Sequence, residues 1–99
     1  MVKHPLDTDK LKDFDLLEFP VTFALKVIMT SEADNKKNIE DLNKILKKTA
    51  VTLQEPWTFT ESRNGNYISY TGVVLVKTKS QMYILYGELS THPNVKYAL

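Results

Sequence analysis

Lys26, Tyr67, Ser69 and Thr71 are the side chains whose types and spacing best suit contact with a ligand. Period-two alternation puts all four on one face of two strands, where they offer a cation, an aromatic ring and hydroxyls. That is binding chemistry: an ion pair, stacking and hydrogen bonds. Covalent catalysis would need a nucleophile, a base and a group that orients the base. The two histidines, His4 and His92, lie in an arm and a loop with no motif around either, and they read as solvated loop residues. With no cysteine, a thiol nucleophile, a disulfide framework and a Cys-based zinc site are excluded. Asp7/Asp9 and Asp13/Asp15 are acidic pairs without the spacing of a calcium loop. Three well-separated glycines make no phosphate-cradling loop. The residues therefore point to a protein that is not an enzyme and needs no cofactor or metal.

The bulk properties agree with a small binding domain. The 99 residues amount to one domain. Hydrophobic residues make up 42% and charged residues 25%, as in ordinary globular proteins. A formal net charge of +1 creates no global field to recruit nucleic acid or a membrane. Met1–Asp15 lacks the apolar stretch of a secretory signal. The longest apolar run, Gly72–Val76, falls far short of the roughly 20 residues that span a bilayer. The cytoplasm is the expected compartment.

Six elements and an arm must position these residues. Residues 1–18 are charge-rich and read as a partly ordered arm, with a helical turn from Thr8; residues 19–99 form the domain. Val21–Thr30 is a strand, with Phe23, Leu25, Val27 and Met29 on its core face. Ser31–Thr49 is a helix on the stripe Ile39, Leu42, Ile45, Leu46 and Thr49, capped by Ser31 or Asp34. Ala50–Pro56 is a connection, because Pro56 is unwelcome in a buried ladder. Trp57–Ser62 and Tyr67–Lys77 are strands joined at Asn64-Gly65, a strong hairpin signal. A second helix runs from Thr78 or Ser80 to about Ser90, with Met82, Leu85, Tyr86 and Leu89 inward and Tyr83 at the surface. Gly87 costs that helix up to about 1 kcal/mol, which fits either close packing on the sheet or a glycine that is merely tolerated. Val95–Leu99 is a last short strand.

The order βαββαβ predicts an α+β, ferredoxin-like fold: a four-stranded antiparallel sheet, order 4-1-3-2, with two helices on one face. The first and third strands are the most apolar, and this order makes them central. Lys26, Ile28, Tyr67, Ser69, Thr71, Val73 and Leu75 then lie on the open face. Ile28, Val73 and Leu75 form an apolar patch, to be covered by a partner, a second copy, or the arm through Phe14, Leu16 and Leu17.

Leu16-Leu17-Glu18-Phe19-Pro20, Phe23, Lys26-Val27, Gly65-Asn66-Tyr67, Ser69 and Leu85-Tyr86 to Leu89 together resemble the YbeD-like family of small bacterial domains of unknown function. The resemblance covers roughly Leu16 to Leu99. It implies a ferredoxin-like fold similar to ACT-type regulatory domains, and it supplies no catalytic residues. This chain departs from the pattern in a longer arm, a longer connection at Ala50–Pro56, and Gly72 on the core face, where Trp57 or Phe59 would fill the room. The function expected is a non-catalytic regulatory or interaction module for a small metabolite or a protein, with self-association through the open face or a sheet edge as a further option. The alternative is single-stranded nucleic-acid binding on the open face, with Tyr67 as the stacking platform. The net charge weighs against it, and Phe23 and Phe59 are expected to face the core.

Overall fold

The β-branched and aromatic run after Pro20 forms the first strand, and four-residue periodicity takes over after Asp34. In the computed structural model, which describes residues 17–99, the elements are β1 (Val21–Thr30), α1 (Asn35–Lys48), β2 (Thr52–Glu61), β3 (Tyr67–Val76), α2 (Lys79–Thr91) and β4 (Val95–Ala98). The Thr8 turn, His4, the acidic pairs, Phe14 and Leu16 lie outside the described residues. The sheet is antiparallel with order β2-β3-β1-β4, the expected 4-1-3-2 read from the other edge.

Each helix begins at a side-chain cap. Asp34 accepts the Lys37 N–H at 2.8 Å, so α1 starts at Asn35 rather than Ser31. Thr78 accepts the Gln81 N–H at 3.1 Å and starts α2. The end of α1 is a Schellman motif: Val51 N–H bonds the Leu46 carbonyl at 2.9 Å and Ala50 N–H that of Lys47 at 3.2 Å. Ala50 holds the left-handed position at φ 60°, which a glycine would adopt without strain. The Gln81 amide donates to the Ala50 and Thr49 carbonyls at 2.7 and 3.1 Å, joining the start of α2 to the end of α1.

The core lies between the helices and one sheet face. It comprises Leu25, Val27 and Met29 of β1, Ile68, Tyr70, Val74 and Val76 of β3, the α1 residues Leu42, Ile45 and Leu46, and Met82, Leu85, Tyr86 and Leu89 of α2. Each fully buried aliphatic side chain contributes roughly 1.5–3 kcal/mol, so packing of these stripes holds the helices more than propensity does. Phe23 and Tyr83 are half-buried at the margin of this core, so Tyr83 is not the surface residue expected.

Two expectations are corrected here, the Ala50–Pro56 connection and the core-facing Phe59, and the alternatives at Gly87 and Gly72 are decided. The stretch from Thr52 to Pro56 is strand, not connection. Pro56 is tolerated because β2 is an edge strand whose register against β3 shifts twice, between Leu53 and Glu55 and between Glu55 and Thr58. Gly87 is exposed with open space where a Cβ would point, so it packs against nothing. Phe59 stands across from Tyr70 with ring centroids 6.0 Å apart, yet it is 48% exposed at the sheet edge. Trp57 is the residue that fills the space at Gly72: a Cβ there would lie 2.8 Å from the indole Cε3. The indole N–H donates to Asn43 Oδ1 at 2.8 Å, fastening β2 to α1.

Candidate functional site

The hairpin, the β1–α1 loop and the α2–β4 loop meet at one end of the molecule. Gly65, at φ 76°, turns the four-residue loop 63–66 between Ser62 and Tyr67, whose main chains pair at 2.8 Å. Asn64 has no positive φ, so the loop is not the two-residue turn that Asn-Gly often forms. Ser31 N–H reaches the Asn66 carbonyl at 3.1 Å, and Thr30 N–H the Asn94 carbonyl at 2.8 Å. These bonds fix the ends of β1, β3 and β4 around the open face.

Lys26, Tyr67, Ser69 and Thr71 all lie on that open face, as expected, but not as one group. Lys26 pairs with Thr71, Ile28 with Ser69, and Thr30 with Tyr67. Rungs on one face repeat every ~6.7 Å, so the Lys26 and Tyr67 backbones are ~13 Å apart. On its other side Lys26 exchanges main-chain hydrogen bonds with Leu99, at 2.8 and 3.2 Å. The polar rung of Lys26, Thr71 and Thr58 also divides the expected apolar patch, leaving Ile28 on one side and Val73 and Leu75 on the other.

The residues that do gather around Tyr67 come from β4. Tyr97 pairs with Ile28, and the irregular register between Ile28 and Met29 leaves Lys96 as an extra residue. Lys96 and Tyr97 are consequently both exposed, between buried Val95 and Ala98. The Lys96 ammonium lies 5.8 Å from the centre of the Tyr67 ring, a cation–π contact. Ile28, Tyr67, Lys96 and Tyr97 bound a shallow slot of about 370 Å³. An adjoining depression of about 320 Å³ shares Ile28, Tyr67 and Tyr97 and adds Thr60, Glu61, Ser62 and Ser69. The two rings are 39% and 44% exposed, so both remain available for contact. Strict alternation from Val95 would put Tyr97 on the core side. Only the bulge turns it outward, and the sequence carries no separate signal for it.

Several polar groups elsewhere are committed to the fold. His92 is not a solvated loop residue: it ends α2, its Nε2 meets Asp41 Oδ2 at 2.9 Å, and its Nδ1 accepts the Asn94 N–H at 3.0 Å. The second Asp41 oxygen accepts from Lys37 at 2.8 Å. That hydrogen bond, reinforced by His92, holds the Asp41 carboxyl below the ordinary carboxylate range against the opposing effect of burial. In the core, Asn38 donates to the Tyr70 hydroxyl at 3.0 Å, which donates to Asn35 Oδ1 at 2.6 Å. Burial pushes the Tyr70 and Tyr86 phenols up. Among the described residues no group of three or more His, Cys, Asp or Glu side chains is arranged to hold a metal, and no helix is long and apolar enough to cross a membrane.

The fold and this surface define a class: an open-faced ferredoxin-like domain with two exposed tyrosines and a lysine grouped on the face of the sheet opposite the helices. The solution structure of the C-terminal domain of the MgtC protein from Mycobacterium tuberculosis shares the fold, with a TM-score of 0.62 at 19% identity over 84% of this chain and 87% of that one. So does the solution structure of protein HP0495 from H. pylori, at 0.59 and 20% identity over 84% and 85%. The chain itself belongs to the family described as protein of unknown function (DUF493), whose model matches residues 15–99. A UPF0250 protein of Janthinobacterium sp. (strain Marseille) is 33% identical over 91 residues, covering 85% of this chain and 90% of that protein. The resemblance to small bacterial domains of unknown function is thereby established.

Proposed function

We propose that this chain is a non-catalytic, cytoplasmic regulatory or interaction module that binds a small metabolite or a protein partner through the open face of its sheet. The observation that carries this reading is the slot of Ile28, Tyr67, Lys96 and Tyr97: two half-exposed rings and a cation around an aliphatic floor. Aromatic residues exposed together on a rigid sheet are a costly use of apolar surface unless they meet something. The commitment of both His92 ring nitrogens within the fold supports a binding role over acid–base catalysis. Lys26, Ser69 and Thr71 extend the surface along the strands rather than forming its centre.

An amide chemical-shift titration of the labelled chain tests this. The ligands are pooled amino acids, nucleotides and common metabolites, with a protein concentration series to detect self-association. Shifts clustered on Ile28, Tyr67, Lys96 and Tyr97 are expected. Perturbations confined to the helical side, with the open face silent throughout, would overturn the reading.

A further inference from the structure

We propose that the slot between Tyr67 and Tyr97 is a subsite for one nucleotide unit, its base against the phenol rings and its phosphate on Lys96. This rests on the open face being the working surface. The slot is small and shallow, near the lower end of ligand-site volumes, so it suits one flat group rather than an extended ligand. Its floor is the aliphatic Ile28 and its walls are two phenol rings, a lining that stacks any π-face without demanding a particular edge pattern.

The charges orient that group. Among the described residues no carboxylate lies within ion-pair distance of Lys96 or Lys26, whereas Lys37 meets Asp41 and Lys48 meets Glu88 on the helical side. Lys96 sits on the slot itself, whereas Glu61 lines only the adjoining depression. An anionic substituent is therefore drawn to the Lys96 side and repelled from the Glu61 side. Ser62, Thr60 and Ser69 line that depression and offer donors and acceptors to sugar hydroxyls. Lys26 and Thr71 stand one rung beyond Ile28 and Ser69, about one nucleotide step further along the sheet. The unit could come as a free nucleotide or within a single strand. The polar rung across the face interrupts the continuous apolar area that a protein partner would bury.

The test is a titration of the labelled full chain with AMP, UMP, their nucleosides, inorganic phosphate, and six-nucleotide oligo(A) and oligo(U). Saturable mononucleotide shifts at Ile28, Tyr67, Lys96 and Tyr97, weakened about five- to a hundredfold in Tyr97→Ala by loss of one stacking partner, are expected. Lys96→Gln should weaken nucleotides but not nucleosides. If the source is a single strand, the oligonucleotides bind more tightly than AMP or UMP, lose affinity with salt, and extend the shifts to Lys26 and Thr71. If it is a free nucleotide, the mononucleotide matches or exceeds them and the shifts stay in the slot. Equal shifts from inorganic phosphate alone, unchanged binding in both Tyr97→Ala and the milder Tyr97→Leu, or silence towards every nucleotide would overturn the proposal. Silence towards nucleotides with open-face shifts from another compound or a protein would overturn this assignment and leave the interaction-module reading standing.

Discussion

At the scale of single residues, two small residues, Gly72 and Ala50, carry opposite stresses. Gly72 is small because Trp57 lies against it, and an added methyl at 2.8 Å from the indole must displace the ring or the strand. Gly72→Ala is expected to destabilise by about 1–3 kcal/mol, the usual result of overfilling a packed site, measured as the denaturant midpoint. Trp57→Leu should remove part of that penalty in a double-mutant cycle, since the closest contact is with the indole and Leu53 Cδ1 at 3.0 Å supplies the rest. Ala50 is the reverse case. It occupies a left-handed position at φ 60° that costs a residue with a Cβ about 1–2 kcal/mol. Ala50→Gly is expected to stabilise by about 0.5–1 kcal/mol after the greater freedom of glycine in the unfolded chain is deducted, read as a raised Tm. The core-facing position of Gly72 follows from alternation in the sequence. Which aromatic lies against it does not, because the answer depends on how the β2 register slips around Pro56.

At the scale of elements, the helices are joined by polar side-chain contacts as well as by their apolar stripes. Lys48 of α1 meets Glu88 of α2 at 3.0 Å, and Asp41 of α1 meets His92 at the end of α2 at 2.9 Å. Because the folded-state pKa of Asp41 is depressed, its contribution is complete above the unfolded carboxylate range. It is lost as pH falls from about 4 through the lower folded value. Thermal melts between pH 6 and pH 2.5 should show this loss, and Asp41→Asn should flatten it while lowering stability by about 1 kcal/mol at pH 6. Gly87 belongs to this scale too, since it weakens α2 without a compensating contact. Gly87→Ala is expected to raise stability by up to about 1 kcal/mol in the same melts. The helix stripes were legible from spacing alone. The link from Asp41 to His92, 51 residues apart, was not, because no local pattern marks a contact made only when two helices pack.

At the scale of the whole molecule, the sheet divides two environments, and substitutions should separate by face. Leu85 is wholly buried between α2 and the sheet, so Leu85→Ala is expected to cost about 2–5 kcal/mol. Tyr97 on the open face loses only a cross-strand contact, so Tyr97→Ala should cost less than about 1 kcal/mol in the same denaturation series. By itself the sequence determined the number and order of the elements, the central place of the two most apolar strands, the inward helix stripes, and the open-face position of Lys26, Tyr67, Ser69 and Thr71. Those features follow from local periodicity, which is a property of consecutive residues. Only the tertiary structure decided which of them become neighbours. Strand pairing sets Lys26 two rungs from Tyr67, and a bulge in β4 turns Tyr97 and Lys96 outward beside Tyr67 in its place. Register and bulges arise from contacts between strands distant in sequence, and a one-residue shift moves a side chain from one face to the other.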